Sequence, residues 1–265
     1  MTHRHLLPWT LAGLATLAAC ATSPLGRSQL RLFPESEVDA MGATAYSEIR
    51  TKTPSEQAPA VNGYVRCVSD AITREVPGTG RWEVTVFRDP TANAFALPGR
   101  KIGVYAGLLD VAENQDQLAA VIGHEVAHVL ASHANERVSN AYAAEAGVQL
   151  ASVFAAGGDT QSARQMYGLL GLGAQVGVLL PFSRTQESEA DLLGLDLMAK
   201  AGFDPRESVN LWENMGKQGG PRPPEFLSTH PSGSTRMRDL DGRMQHAMTL
   251  YEQARSAGKR PRCVR

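Results

Sequence analysis

Apolar positions recur at helical spacing from Glu35 to about Lys52 and again from Ala58 to about Glu75, which predicts two amphipathic helices. The segment Pro77-Gly78-Thr79-Gly80 breaks that period, and Trp82 to Phe87 then alternates in the manner of a half-buried strand. A second extended segment, Ala94 to Tyr105, is interrupted by Pro98-Gly99, which predicts a hairpin or a bent edge. The strongest helical pattern runs from Asn114 to about Arg137. Asn114 caps it, Gln117 completes a capping-box pattern, and Leu118, Val121, Ile122, Val129 and Leu130 form the apolar stripe. Residues 138–180, rich in Ala, Gly and Leu, read as a helical hairpin turning near Gly157-Gly158-Asp159; contact with lipid is the alternative. A further helix from about Thr185 to Ala201 stops at Gly202, and Asp204-Pro205 ends one element and starts another. Pro221 to Pro224 form a stiff loop, and Ser234 to about Ser256 a last, charged helix. No internal repeat is present. Helices, then a small sheet, then helices predict an α+β fold that is mainly helical.

Ahead of these elements, Arg4 is followed by an apolar run from Leu6 to Ala19, the shape of a secretory signal and too short for a membrane-spanning helix. Residues 21–33 (ATSPLGRSQLRLF) have little periodicity and read as a tether. With 26 Lys+Arg against 27 Asp+Glu there is no basic footprint for nucleic acid, and 43% hydrophobic residues exclude a disordered chain. Three cysteines are too few for a disulfide scaffold and badly spaced for a structural zinc cluster.

Leu17-Ala18-Ala19-Cys20 resembles the bacterial lipobox. The resemblance implies removal of residues 1–19, lipid on Cys20 and a tether over 20–34, and Ala21 in place of an aspartate implies the outer membrane of a Gram-negative bacterium. The expected location is therefore the periplasmic face of that membrane, with attachment through the lipid. An ordinary signal peptide with a chance cysteine is the alternative. Two cysteines are left, Cys67 and Cys263, which an oxidising compartment makes a candidate disulfide, with two unpaired thiols as the other reading.

Within the strongest helix stands His124-Glu125-Val126-Ala127-His128. Four residues advance a helix by about 400°, so the two imidazoles project from one face a turn apart and can share a metal. Glu125, rotated by about 100° from His124, lies beside that metal, where a general base for a water belongs. His133 falls off the ligand face. A catalytic zinc takes three protein ligands and keeps one position open, so a third ligand is needed. Thr185-Gln186-Glu187-Ser188-Glu189-Ala190-Asp191 supplies it: Glu187 and Asp191 share a face, so Glu187 reaches the metal while Asp191 orients an imidazole. Glu189, about 200° from Glu187, points away. Three acids in a first helical turn also suit the helix dipole alone.

HExxH, followed about sixty residues later by SRxxExEAD and preceded by Asn93-Ala94-Phe95-Ala96-Leu97-Pro98-Gly99, resembles the M48 family of zinc metallopeptidases, in its periplasmic lipoprotein branch. The resemblance covers most of residues 35–240. It implies a single zincin-like metallopeptidase domain over 35–265, with a small β-sheet beside the HExxH helix and one zinc ion per chain. It implies His124, His128 and Glu187 as zinc ligands, Glu125 as catalytic base and Asp191 as an accessory acid. Asn93, Ala94 and Phe95 lead into the sheet edge beside the cleft, and Arg100 stands where the family commonly has a second glycine. His230, in Ser228-Thr229-His230-Pro231, also matches a family position, as a fourth ligand, a latch or a transition-state donor; a loop-capping histidine is the alternative. The expected activity is hydrolysis of unfolded or misassembled envelope proteins in the periplasm, the substrate adding as a strand near residues 94–105. A latched, mainly chaperone-like assembly factor for outer-membrane proteins is the competing reading. Neither reading involves nucleic acid, and the sequence does not specify an assembly.

Overall fold

The computed structural model describes residues 20–155, 181–217, 226, 230 and 236–265. Its first element corrects the tether reading. Strands β1 (Cys20–Thr22) and β2 (Ser28–Leu30) pair antiparallel, with Cys20 opposite Leu30, around a turn in which Gly26 has φ 87. This hairpin docks through polar groups. Gln29 Nε2 donates to Ala131 O at 2.7 Å, Leu32 N to Ser139 Oγ at 2.9 Å, and Arg27 to Glu136 and Glu189. Docking by charge and hydrogen bonds leaves no trace in hydrophobic periodicity, which is why the segment reads as structureless.

Helices α1 (Glu35–Lys52) and α2 (Pro59–Thr73) follow, the second with proline in its first turn, where no N–H is needed. Strands β3 (Glu83–Phe87), β4 (Ala94–Leu97) and β5 (Lys101–Tyr105) form a mixed sheet in the order β3-β5-β4, with β3 and β5 parallel and β4 and β5 antiparallel. The β4–β5 connection is a three-residue loop in which both Gly99 (φ 78) and Arg100 (φ 61) take left-handed backbone. That geometry explains the glycine expected at position 100; here Arg100 accepts it, its guanidinium 5.8 Å from the Trp82 ring centroid. Gly103 is needed for a different reason: a Cβ there would stand 2.2 Å from the Phe95 ring, which lies across the strand. One face of the sheet buries Ile102, Val104, Ala94 and Ala96 in the main core. The other gathers Phe87 and Leu97 with Tyr46 of α1.

Helix α3 (Gln115–Leu130) is capped by the Asn114 side chain, which accepts the N–H groups of Asp116 and Gln117. It ends earlier than its apolar pattern predicts. Ser132 takes φ 53, and a new helix, α4 (His133–Ala155), starts at the next residue. The break is made without glycine or proline, so sequence punctuation does not mark it. Helix α5 (Arg184–Lys200) opens with a capping box between Ser183 and Gln186. Helices α6 (Glu207–Lys217) and α7 (Arg236–Ser256) complete seven α-helices among the described residues. The expected turn at Gly157–Asp159 and the loop Pro221–Pro224 lie outside the described residues. No described helix is long and apolar enough to cross a membrane.

Beyond α7 the C-terminal tail is tied down. Gln115 donates to Pro261 O and accepts from Cys263 N, Arg265 donates to Leu109 O, and Cys263 is disulfide-bonded to Cys67 of α2. The core of the domain is α3, wrapped by the sheet, α2, α5 and α6. At the crossing of α3 and α5 two glycines meet: a Cβ on Gly123 would be 2.8 Å from Gly194 O, and one on Gly194 2.7 Å from His124 N. Any side chain at this crossing separates the helices, so the close approach that brings the acids of α5 to the histidines of α3 depends on both glycines.

Candidate metal centre

Four buried side chains from three parts of the chain converge. His124 and His128 of α3, Glu187 of α5 and His230 each present a ligand atom, all within 4.8 Å of one another. His128 Nε2 is 3.1 Å from His124 Nε2, and His230 Nδ1 is 3.2 Å from His124 Nε2 and 3.0 Å from Glu187 Oε1. The Glu187 carboxylate lies 3.4 Å from His124 Nε2 and 3.5 Å from His128 Nε2. The ring planes are held by stacking, Phe182 on His128 with centroids 3.8 Å apart and Phe226 on His230 at 4.5 Å.

Each α3 histidine is supported at its other nitrogen. His124 Nδ1 is 2.9 Å from Asp191 Oδ1, one helical turn beyond Glu187. Arg236, which sequence reasoning missed, clamps two acids of α5: Nε donates to Asp191 Oδ2 at 2.6 Å and Nη2 to Glu187 Oε2 at 2.9 Å. The guanidinium is itself stacked 3.9 Å from the Trp212 ring centroid. His128 Nδ1 meets His133 Nδ1 at 2.9 Å, and His133 Nε2 lies 3.2 Å from Glu189 Oε2. His133 and Glu189 thus stay off the ligand face, as helical geometry predicts, yet they are buried behind it rather than turned to solvent.

The electrostatics follow from burial and charge. Burial opposes the His124 imidazolium, but Asp191 and Glu187 outweigh it and raise its pKa to about 10. Burial pushes His128 well below its ordinary value, with His124 and His230 adding to the effect. Burial also lowers His133, against the pull of Glu189. Burial alone would raise Glu187, but hydrogen bonding to His124 and His230 brings its carboxyl well below the usual range. Glu125 goes the other way: burial pushes it up, opposed by His230 and His124.

These residues fit a zinc ion. His124 Nδ1 faces a carboxylate and His128 Nδ1 faces His133, so with those nitrogens protonated both Nε2 atoms, 3.1 Å apart, would present lone pairs to one shared cation, which would take the place of the proton that His124 holds without it. Three imidazole nitrogens and one carboxylate form a donor set suited to tetrahedral zinc. Glu125 stands beside the cluster and not in it. Its Oε2 accepts the Ala96 N–H at 3.2 Å, and its Oε1 lies 3.3 Å from His230 Nε2.

At the sheet edge the picture differs in detail from the expected Asn93, Ala94 and Phe95. Asn93 O is taken by Tyr105 N of the sheet, Ala94 N is bonded to Asn93 Oδ1, and the Phe95 ring lies on the face away from α3. The group of β4 that points at the site is Ala96 N–H, one residue beyond those three. Ala94 N–H faces the same edge as Ala96 N–H but is taken by the Asn93 side chain, which leaves the contact with Glu125 to Ala96.

The profile of the family described as Peptidase family M48 matches residues 59–244. Mitochondrial metalloendopeptidase OMA1 of Schizosaccharomyces pombe is 37% identical over 218 residues, 80% of this chain and 62% of that protein. Metalloendopeptidase OMA1, mitochondrial, of Homo sapiens is 31% identical over 239 residues, 86% of this chain and 45% of that protein. Beta-barrel assembly-enhancing protease of Escherichia coli O157:H7 is 28% identical over 227 residues, 81% of this chain and 45% of that protein. The matches thus span 45–62% of the length of these relatives. The relatives correct the expected location at the outer membrane. Those of higher identity are mitochondrial proteins of eukaryotes, and the bacterial proteases stand further off, at 29% and 28%. The physical reason is that an N-terminal stretch with Arg4 and no acid before Glu35 also suits mitochondrial import, so its composition does not separate the compartments. The relatives' names lend no support to the lipid on Cys20 that accompanied that location.

Proposed function

Because the chain belongs to peptidase family M48, we propose that it is a zinc-dependent endopeptidase that cleaves extended segments of unfolded or misassembled proteins, in the mitochondrial setting its relatives favour. The observation that carries this reading is the convergence of His124, His128 and Glu187 with Glu125 beside them, at the edge of β4. When bound, zinc supplies Lewis acidity toward a peptide carbonyl and toward water. Glu125 then takes the proton of the attacking water at Oε1, while Oε2 stays on Ala96 N–H, and returns it to the departing amine. Burial raises the Glu125 pKa, the direction that makes its carboxylate the stronger base. Asp191 and Arg236 keep His124 and Glu187 in place. As the edge strand of its sheet, β4 offers a substrate strand main-chain pairing through its outward carbonyls, without demanding one sequence, while the Ala94 and Ala96 N–H groups stay with Asn93 and Glu125. Removal of metal by a chelator such as 1,10-phenanthroline is expected to abolish casein hydrolysis, and stoichiometric zinc to restore it. Full activity in metal-free protein would overturn the assignment.

A specific observation also favours a closed resting state. His230 places Nδ1 in the ligand cluster and Nε2 against the base, so His124, His128, Glu187 and His230 together could hold a zinc ion and would then leave no position open for water. Departure of His230 frees both a ligand position and Glu125 Oε1. His230→Ala is accordingly expected to raise casein hydrolysis, on the order of tenfold if nine molecules in ten rest closed. A fall in rate would assign His230 to transition-state stabilisation instead.

A further inference from the structure

The two α3 histidines are supported by unlike means. Asp191 faces His124 directly, whereas His128 is backed by a chain that leaves the metal centre and ends in the N-terminal hairpin. His128 Nδ1 meets His133 Nδ1 at 2.9 Å, His133 Nε2 meets Glu189 Oε2 at 3.2 Å, and Arg27 Nε donates to the same oxygen at 3.0 Å. Arg27 also donates from Nη2 to Glu136 at 2.7 Å, and Gln186 and Gln29 donate to that carboxylate as well.

The direction of this chain is determined by its far end. Arg27, between two carboxylates, keeps Glu189 an acceptor, so His133 must carry its proton on Nε2. A neutral His133 then accepts at Nδ1, and His128 must donate from its own Nδ1. That leaves the Nε2 lone pair of His128 aimed at the cluster, the tautomer a metal ligand needs. The opposite tautomer would turn an N–H toward the metal and a lone pair toward Glu189. Three turns of sequence context produce the geometry: the break at Ser132 swings His133 back under His128, Glu189 sits on the face of α5 opposite Glu187, and the hairpin turn delivers Arg27.

We propose that His133 is a positioning residue that fixes the tautomer and ring orientation of the ligand His128, and that Glu189 and Arg27 hold His133 for that role. The hairpin is in this sense part of the metal centre, although Arg27 lies outside residues 59–244, the span that matches the family profile. The inference rests on the zinc reading of the site.

Zinc affinity of the full chain, measured by competition with a chromophoric chelator, tests it, with denaturant unfolding of the metal-free proteins alongside. His133→Leu is expected to lower zinc affinity by about 10–100-fold, the usual effect of losing a partner behind a metal-bound histidine. His133→Gln, which can still accept from His128 and donate toward Glu189, recovers most of that loss; a purely packing role would not discriminate between the two in this way. Should His133→Leu not fold, Arg27→Met decides: it lies away from the ligands at a partly exposed site and is expected to lower affinity about threefold to tenfold with the metal-free fold intact. Zinc affinity within twofold of the parent in His133→Leu or, failing that, in Arg27→Met overturns the inference while leaving the zinc reading in place. Failure of the parent chain to bind zinc overturns the zinc reading itself.

Discussion

Glu125→Gln is expected to retain zinc and to lose proteolysis by about 10²–10⁴-fold, the range for removal of a positioned general base. The substitution is nearly isosteric. The amide oxygen can still accept the Ala96 N–H, now held at 3.2 Å by Oε2, so the side chain keeps its place against β4. None of the four convergent ligand atoms belongs to residue 125, so zinc binding is spared. What goes is the ability to take a proton at Oε1, a buried atom that makes no hydrogen bond among the described residues. Casein hydrolysis and zinc content measured on the same preparation separate the two effects. Hydrolysis at the parental rate would sink the assignment of Glu125, and loss of zinc would make it a structural residue.

The second large effect is expected at a residue with no part in the proton transfer. Arg236→Leu takes from the buried Glu187 and Asp191 the guanidinium that bonds both, leaving them to His124, and breaking a buried ion pair from one side costs about 3–5 kcal/mol. The stacking of the guanidinium on Trp212 is lost with it. Denaturant unfolding of the metal-free variant checks the figure. Zinc is expected to stabilise the variant by more than it stabilises the parent, because a bound cation takes over part of the charge balance at Glu187. Arg236→Lys, with a point charge in place of a two-pronged donor, falls between variant and parent. A metal-free Leu variant that unfolds at the parental midpoint would show that the clamp contributes nothing to the fold.

What the sequence discloses and what it conceals divide along a physical line. The histidines of α3 and the acids of α5 are legible because helical periodicity converts spacing into shared faces, and four residues separate both His124 from His128 and Glu187 from Asp191. The helix limits of α1 and α5 are legible for the same reason, helped at α5 by the stop at Gly202. Residues whose role is created by tertiary contact have no such signature. Arg236 opens α7 as one of many charges on a charged helix, and nothing local marks it as the partner of two acids on α5. His133 and Glu189 are correctly excluded as ligands by rotation about the helix axis, but rotation does not reveal that the faces they occupy are buried against each other. The hairpin and the break at Ser132 escape because one docks by polar contacts and the other bends without glycine or proline. His230 is found only through the family resemblance, since a lone loop histidine has no period to betray it.

The Cys67–Cys263 bond closes a ring of chain with a sequence separation of 196 residues, and His124, His128, Glu187 and His230 all lie inside it. A peptidase is exposed to cleavage by its neighbours and by its own copies. A single cut anywhere between the two cysteines opens the ring into two segments that remain covalently joined, so nicked molecules keep their composition and their mass apart from one added water. Until the disulfide is reduced, therefore, damage within the metal-bearing region is not followed by dispersal of its fragments.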